Sequence, residues 1–248
     1  MAGHSHWANI AQKKGVADAK RGKVFSKLSR YIIIAARHGG GDPDTNLKLR
    51  YAIDKARSVS MPRENIERAV KRGTGELAGE TLEELQYEGF GPGGVALICD
   101  VVTDNRNRTF GELRKIFERG GGSIGISGSV AYLFKRKGVI LIDKRLAEED
   151  AVMSIVLEAG ADDLKVTDDH YEVICTIESF NPVQEALTQA KIATNSAELT
   201  QIADIQIDAD VETGLKVLKL MENLDDHDDV NAVHSNLNLT DEIAAAIG

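Results

Sequence analysis

Lys20, Lys23, Lys27, Arg30 and Arg37 recur at intervals of three, four, three and seven residues. These spacings bring side chains onto one face of an α-helix. A row of cations on a rigid rod suits a polyanion, because each one that meets a phosphate releases a condensed counterion. Lys13, Lys14 and Arg21, close by in sequence, are further candidate contacts for nucleic acid. A second group, Asn105-Arg106-Asn107-Arg108-Thr109, puts amides and guanidiniums where a helix opens, and a helix N-terminus already favours an anion. Two readings of Arg106 and Arg108 stand side by side, contact with a phosphate and a structural salt bridge.

The other constellations point to no reaction. His4 and His6 lack the third and fourth ligands of a metal site. Asp225-Asp226-His227-Asp228-Asp229 lacks the spacing and the glycine of a calcium loop, and reads as a solvated helix-to-strand turn. Gly89/Gly91/Gly94 and Gly120/Gly122/Gly125 match the dinucleotide glycine pattern without the strand before and helix after that phosphate cradling needs, so turn chemistry explains both. No P-loop, no Ser/His/Asp or Cys/His arrangement and no distinct carboxylate pair stands out. The sequence thus argues for no catalytic residue, no metal and no small-molecule cofactor. Trp7 either packs on the first helix or stacks on a base.

Charge is distributed unevenly along the chain. The first 73 residues hold 16 Lys and Arg against 6 Asp and Glu, a net +10, whereas the rest holds 14 against 33, a net −19. The overall −9 conceals this split. Such an asymmetry suggests that one part meets nucleic-acid phosphate.

The elements that must carry these residues follow from periodicity. Phe25, Leu28, Ile32 and Ala35 line one face of a first helix from about Ala17, with the basic row roughly opposite. Gly39-Gly40-Gly41 stops it, and Asp42-Pro43-Asp44-Thr45 offers turn and capping oxygens. A second helix, Thr45 to Ser58, buries Leu49, Ala52, Ile53 and Ala56; a third, from Met61-Pro62 to Arg72, buries Ile66, Ala69 and Val70. Gly73-Thr74-Gly75 and the acidic stretch after it read as a linker.

Strands follow. Leu82–Phe90 and Val95–Thr103 flank Gly91-Pro92-Gly93-Gly94 as a hairpin; a helix to about Arg119 and a strand Ser129–Phe134 come next. From Gly138 the order is strand, helix, strand, strand, helix, strand, the ferredoxin-like split unit, with its second helix beginning at Pro182. A final helix, Val211–Leu224, and a strand, Val230–Leu237, complete the earlier strands into a second unit of similar kind. The expected fold is therefore α+β: a three-helix domain over 1–77, a discontinuous α/β domain over 78–137 and 208–248, and a ferredoxin-like domain over 138–207 inserted into it.

Cys99 and Cys175 lie in apolar strand-like runs and read as buried free thiols of a reducing cytoplasm. No early apolar stretch has signal-peptide length, and no run approaches a membrane span.

Several of these stretches also carry a family likeness. Met1-Ala2-Gly3-His4-Ser5, Trp7-Ala8-Asn9-Ile10, Asp18-Ala19-Lys20-Arg21-Gly22-Lys23, Arg37-His38-Gly39-Gly40-Gly41-Asp42-Pro43, Met61-Pro62, Lys71-Arg72-Gly73-Thr74-Gly75, the stretch from Tyr87 to Gly94 and that from Thr103 to Thr109 together resemble the YebC/PmpR family along the whole chain. The resemblance implies a cytoplasmic protein with a helical N-terminal domain and two α/β domains, acting as a DNA-binding transcriptional regulator. Mitochondrial relatives act as translational activators, and bacterial members have been tied to the ribosome. The combined expectation is a non-enzymatic nucleic-acid-binding regulator of gene expression. A translation factor using the same basic face on ribosomal RNA is the alternative, and a nucleic-acid-processing enzyme stands behind both. Charge does not separate DNA from RNA, since both present phosphate.

Overall fold

The computed structural model describes residues 18–79, 81–167 and 169–247, with side chains from residue 22 onward. In chain order the elements are α1 (Asp18–Gly39), α2 (Leu47–Ser58), α3 (Arg63–Gly73), β1 (Glu83–Phe90), β2 (Ala96–Thr103), α4 (Arg106–Arg119), β3 (Ser123–Ile124) and β4 (Phe134–Asp143). They continue as α5 (Glu149–Glu158), β5 (Ala161–Val166), β6 (His170–Cys175), α6 (Ile177–Gln189), β7 (Ser196–Ala203), α7 (Val211–Asp225), β8 (Val230–Ser235) and α8 (Asp241–Ile247). Two compact units result. One comprises the described residues up to Ala131 with Val211–Ser235; the other comprises Tyr132–Asp210 with the described residues from Asn236 on.

In the first unit, the three helices close around a core of Leu28, Ile32, Leu49, Ile53, Met61 and Ile66 that runs on into Leu82 and Val102. The face expected of α2, Leu49, Ala52, Ile53 and Ala56, is the one it buries. On α1 the expected oily stripe holds only in part. Ile33, Ile34 and Ala36 are buried as well, because this stretch packs against both α2 and α3. Gly73 closes α3 rather than opening a linker. A Cβ there would lie 2.5 Å from the Ile33 carbonyl oxygen and 2.6 Å from the Ala36 methyl, so only glycine lets the two helices approach this closely.

The cap of α2 is Asn46, not the Asp42–Thr45 turn expected from sequence. Its Oδ1 accepts from the Leu49 amide at 3.1 Å while Nδ2 donates to the carbonyls of Ala35 and Gly40, each at 2.8 Å. The buried amide thereby satisfies backbone groups at the end of one helix and the start of the next.

The expected hairpin is present, with Phe90 opposite Ala96 and Glu83 opposite Thr103. It forms the centre of a four-stranded antiparallel sheet of order β3-β1-β2-β8. The strand expected over Ser129–Phe134 is replaced by a turn and a 3-10 segment before β4. The carboxylate of Glu88, 5% exposed, accepts from the amides of Gly128 at 2.6 Å and of Val130 and Ala131 at 2.7 Å, donors that a sheet ladder would otherwise have used. Burial alone would raise the Glu88 pKa, but these three amides hold it below the usual carboxylate range.

In the second unit, β4–α5–β5–β6–α6–β7 builds an antiparallel sheet of order β5-β6-β4-β7. The two sheets are alike in size and in antiparallel character, but differ in strand order: hairpin strands β1 and β2 are both central, whereas the hairpin of β5 and β6 has one strand at the edge. Helix α6 starts five residues before the expected Pro182, because Thr176 caps it by accepting from the Ser179 amide at 3.2 Å. Cys99 and Cys175 are free and buried, and burial pushes the Cys175 thiol up to about 11.

Candidate nucleic-acid interface

Lys13 and Lys14 lie outside the described residues, as do His4, His6 and Trp7; Lys20 and Arg21 belong to α1, with side chains outside the description. Lys23, Lys27 and Arg30 do share one face of α1, as their spacing requires. That face meets the acidic turn between α7 and β8. Lys23 Nζ is 3.5 Å from Asp228 Oδ1 and 3.4 Å from the Asp226 carbonyl. Lys27 bonds the Asp225 carbonyl and lies 3.8 Å from its carboxylate. Arg30 Nη1 donates to Asp229 Oδ1 at 2.6 Å and to the Asp228 carbonyl at 3.0 Å. Burial is the largest influence on Lys27 and holds its pKa below the ordinary lysine value, against the pull of Asp225, Asp226 and Asp228. The acidic run is a helix-to-strand turn, as expected, but it is docked on a basic helix rather than solvated.

Asp229 is the centre of this arrangement, at 2% exposed. Strand pairing puts it there: β8 runs antiparallel to β2, and the Asp229 carbonyl accepts from the Val102 amide at 2.8 Å, beside the start of α4. Its Oδ2 accepts from Thr109 Oγ1 at 2.7 Å, Arg108 Nη2 at 2.8 Å and Thr103 Oγ1 at 3.2 Å. Asn105 caps α4 by accepting from the Arg108 amide at 3.1 Å. The anion received at this helix N-terminus is thus a carboxylate of the chain itself. Burial would raise the Asp229 pKa, yet the hydrogen bonds from Thr109 and Arg108 and the charge of Arg30 hold it below the usual range.

Glu112, His227 and Asp229 bring three ligand-type atoms within 4.8 Å of one another. They are ill suited to a cation. His227 Nδ1 accepts from the Asp229 amide at 3.1 Å, its Nε2 faces Glu112 Oε2 at 2.9 Å, and both Asp229 oxygens already accept from guanidinium groups.

The remaining residues of the two basic groups point elsewhere. Arg37, exposed at the end of α1, donates to the Leu82 carbonyl at 2.8 Å. Arg106 is exposed beside Tyr87, whose hydroxyl donates to the Arg106 carbonyl at 3.3 Å. The spacing argument missed Arg68, Lys71 and Arg72, exposed together on α3. Their i, i+3, i+4 placement was available as a signal. Asp229 and Glu88, by contrast, gave no local sign of their roles.

Three N-terminal helices followed by two four-stranded antiparallel sheets with helices define an α+β protein that presents cations on its helical part. Residues 5–76 match the family model for the TACO1/YebC protein N-terminal domain, and residues 82–237 match that for the TACO1/YebC second and third domain. The chain belongs to the TACO1/YebC family. It is 50% identical over 248 residues to a "Probable transcriptional regulatory protein" of Dictyoglomus turgidum, covering 100% of both chains. It is 52% identical over 243 residues to one of Rhodopirellula baltica, covering 98% of each. The crystal structure of the conserved hypothetical protein Aq1575 from Aquifex aeolicus superimposes with a TM-score of 0.80 at 43% identity, covering 89% of this chain and 91% of that one.

Proposed function

We propose that this protein is a non-enzymatic regulator of gene expression that binds duplex DNA through its basic N-terminal helical region. The observation that carries the reading is the net +10 of the first 73 residues in a chain of net −9. Relatives at about half identity named as probable transcriptional regulatory proteins support it. Within the basic groups, Lys13, Lys14, Lys20, Arg21, Arg37 and Arg106 are put forward as phosphate contacts. Lys23, Lys27, Arg30 and Arg108 serve the fold through the acidic turn. The surface is read as belonging to a helical domain over 1–77, followed by a discontinuous α/β domain over 78–137 and 208–248 with a ferredoxin-like domain over 138–207 inserted into it, and the site of action as the cytoplasm.

Sedimentation of cell extract through a sucrose gradient tests the reading. The protein is expected to travel with DNA and to move to the top after DNase treatment. Travel with ribosomes after DNase treatment would replace DNA by ribosomal RNA as the target. Incubation of the pure protein with Mg²⁺ and labelled nucleic acid is expected to leave the strands intact; reproducible cleavage would make it an enzyme.

A further inference from the structure

Arg68, Lys71 and Arg72 are exposed on α3, and none of their side chains makes an ion pair or hydrogen bond among the described residues. This sets them apart from the other cations of the helical region. Lys23, Lys27 and Arg30 face the acidic turn, Lys48 holds Glu84 at 2.6 Å, Arg57 holds Asp54 at 3.3 Å and Arg63 holds Glu67 at 2.6 Å. Arg68 and Lys71 stand opposite the face that α3 buries, Ile66, Ala69 and Gly73, and Arg72 lies to one side of it. At about 1.5 Å per residue they span roughly 6 Å of helix axis. Helix-dipole compensation accounts for Lys71 and Arg72 in the last turn, but the effect fades within one turn and Arg68 lies further back.

The surroundings add access. Gly41 packs against Val70 and Thr74, so the glycine turn after α1 adjoins the C-terminal end of α3. At Gly40, and at Gly75 just beyond α3, a Cβ would meet nothing within 4 Å. The two glycines therefore leave open space at the turns that flank the C-terminal end of α3.

We infer that the outer face of α3, through Arg68, Lys71 and Arg72, is a principal contact surface for the sugar-phosphate backbone of duplex DNA. The inference rests on the proposed nucleic-acid function and specifies where it is exercised. Phosphates gain most from cations that no carboxylate has neutralised, and within the described helical region these three form the densest such group. The face is short and carries only cationic side chains, which provides no means of reading bases, so binding here is weakly sequence-selective.

The test is fluorescence anisotropy of the full-length protein with a short labelled DNA duplex over a range of salt. Each phosphate neutralised contributes about 0.9 to the slope of log K against log salt, so R68Q/K71Q/R72Q is expected to flatten the slope by about 2.7. The charge-preserving R68K/K71R/R72K is expected to keep the wild-type slope. K115Q/R119Q, which removes two exposed cations from α4, is expected to leave it unchanged. A folded R68Q/K71Q/R72Q protein with the wild-type slope would overturn the assignment to α3 while leaving the proposed function standing. A wild-type protein without salt-sensitive binding would remove the function itself. Tighter binding to an RNA duplex of equal length, lost in the same variant, would overturn the assignment to DNA.

Discussion

Arg30 Nη1 lies 2.6 Å from Oδ1 of Asp229, a carboxylate that is 2% exposed and 199 residues away in sequence. The contact joins the first helix to the turn before the last strand of the same compact unit. Asp229 also receives Arg108 and Thr109, so a single carboxylate anchors α1 and the start of α4. Replacing it by alanine would strand Arg30 and Arg108 beside a cavity. Removing one partner of a buried pair costs about 3–5 kcal/mol, and both arginines keep partial access to water, so about 2–3 kcal/mol is expected for Asp229→Ala in urea denaturation. K23Q, which touches only the exposed pair with Asp228, is expected to cost less than about 1 kcal/mol.

Asp229 and Glu88 should both contribute to acid sensitivity, alongside Asp143 and Glu178, whose pKa values are also held low. Asp229 and Glu88 have folded-state pKa values below the ordinary range, so each contributes stability that is complete above its unfolded value, about 4, and is lost as pH falls through the lower folded value. Thermal melts from neutral pH downward should show Tm falling below about pH 4. In Glu88→Gln the neutral-pH Tm is expected to be lower and the acid fall shallower, because the titrating group is gone. An acid fall of unchanged steepness in that variant would reject the assignment.

Gly73→Ala tests the close approach of α3 to α1. With the new methyl 2.5 Å from the Ile33 carbonyl oxygen, the helices must separate, and overpacking of this kind costs about 1–3 kcal/mol. Ala substitution at Gly75, where the space is open but φ is +84°, probes backbone strain alone, about 1 kcal/mol. A smaller loss at Gly73 than at Gly75 would contradict the packing described.

Limited proteolysis tests the continuity of the first unit. The segment from Thr74 to Gly79 is exposed and is the expected place of cleavage. The helical core includes Leu82 and Val102, and Arg30 is held by Asp229, so the two fragments are expected to co-elute in gel filtration. Separate elution would show that the helices are held by the linker alone.

Local pattern made part of this molecule legible before its structure. The buried face of α2 followed from its helical period, and the β1–β2 hairpin from turn residues between two apolar runs. What the pattern did not contain was long-range pairing. The basic row on α1 looked free because its carboxylate partners lie about 200 residues downstream, and the acidic turn looked solvated for the same reason. Glu88 is 40 to 43 residues from the amides it binds, so no window of sequence revealed why Ser129–Phe134 is not a strand. Cations at helical spacing mark a face, but whether that face meets solvent or a carboxylate is decided by the fold.

The salt dependence of duplex binding by the unmodified protein tests the central claim most directly. Three phosphates met by α3 alone set a slope of log K against log salt of about −2.7, and contacts from the other basic residues make it steeper. A slope at least that steep on DNA of unrelated sequences is the predicted result. Binding that does not respond to salt, or no binding at low salt, would contradict a protein that works by placing cations against phosphate.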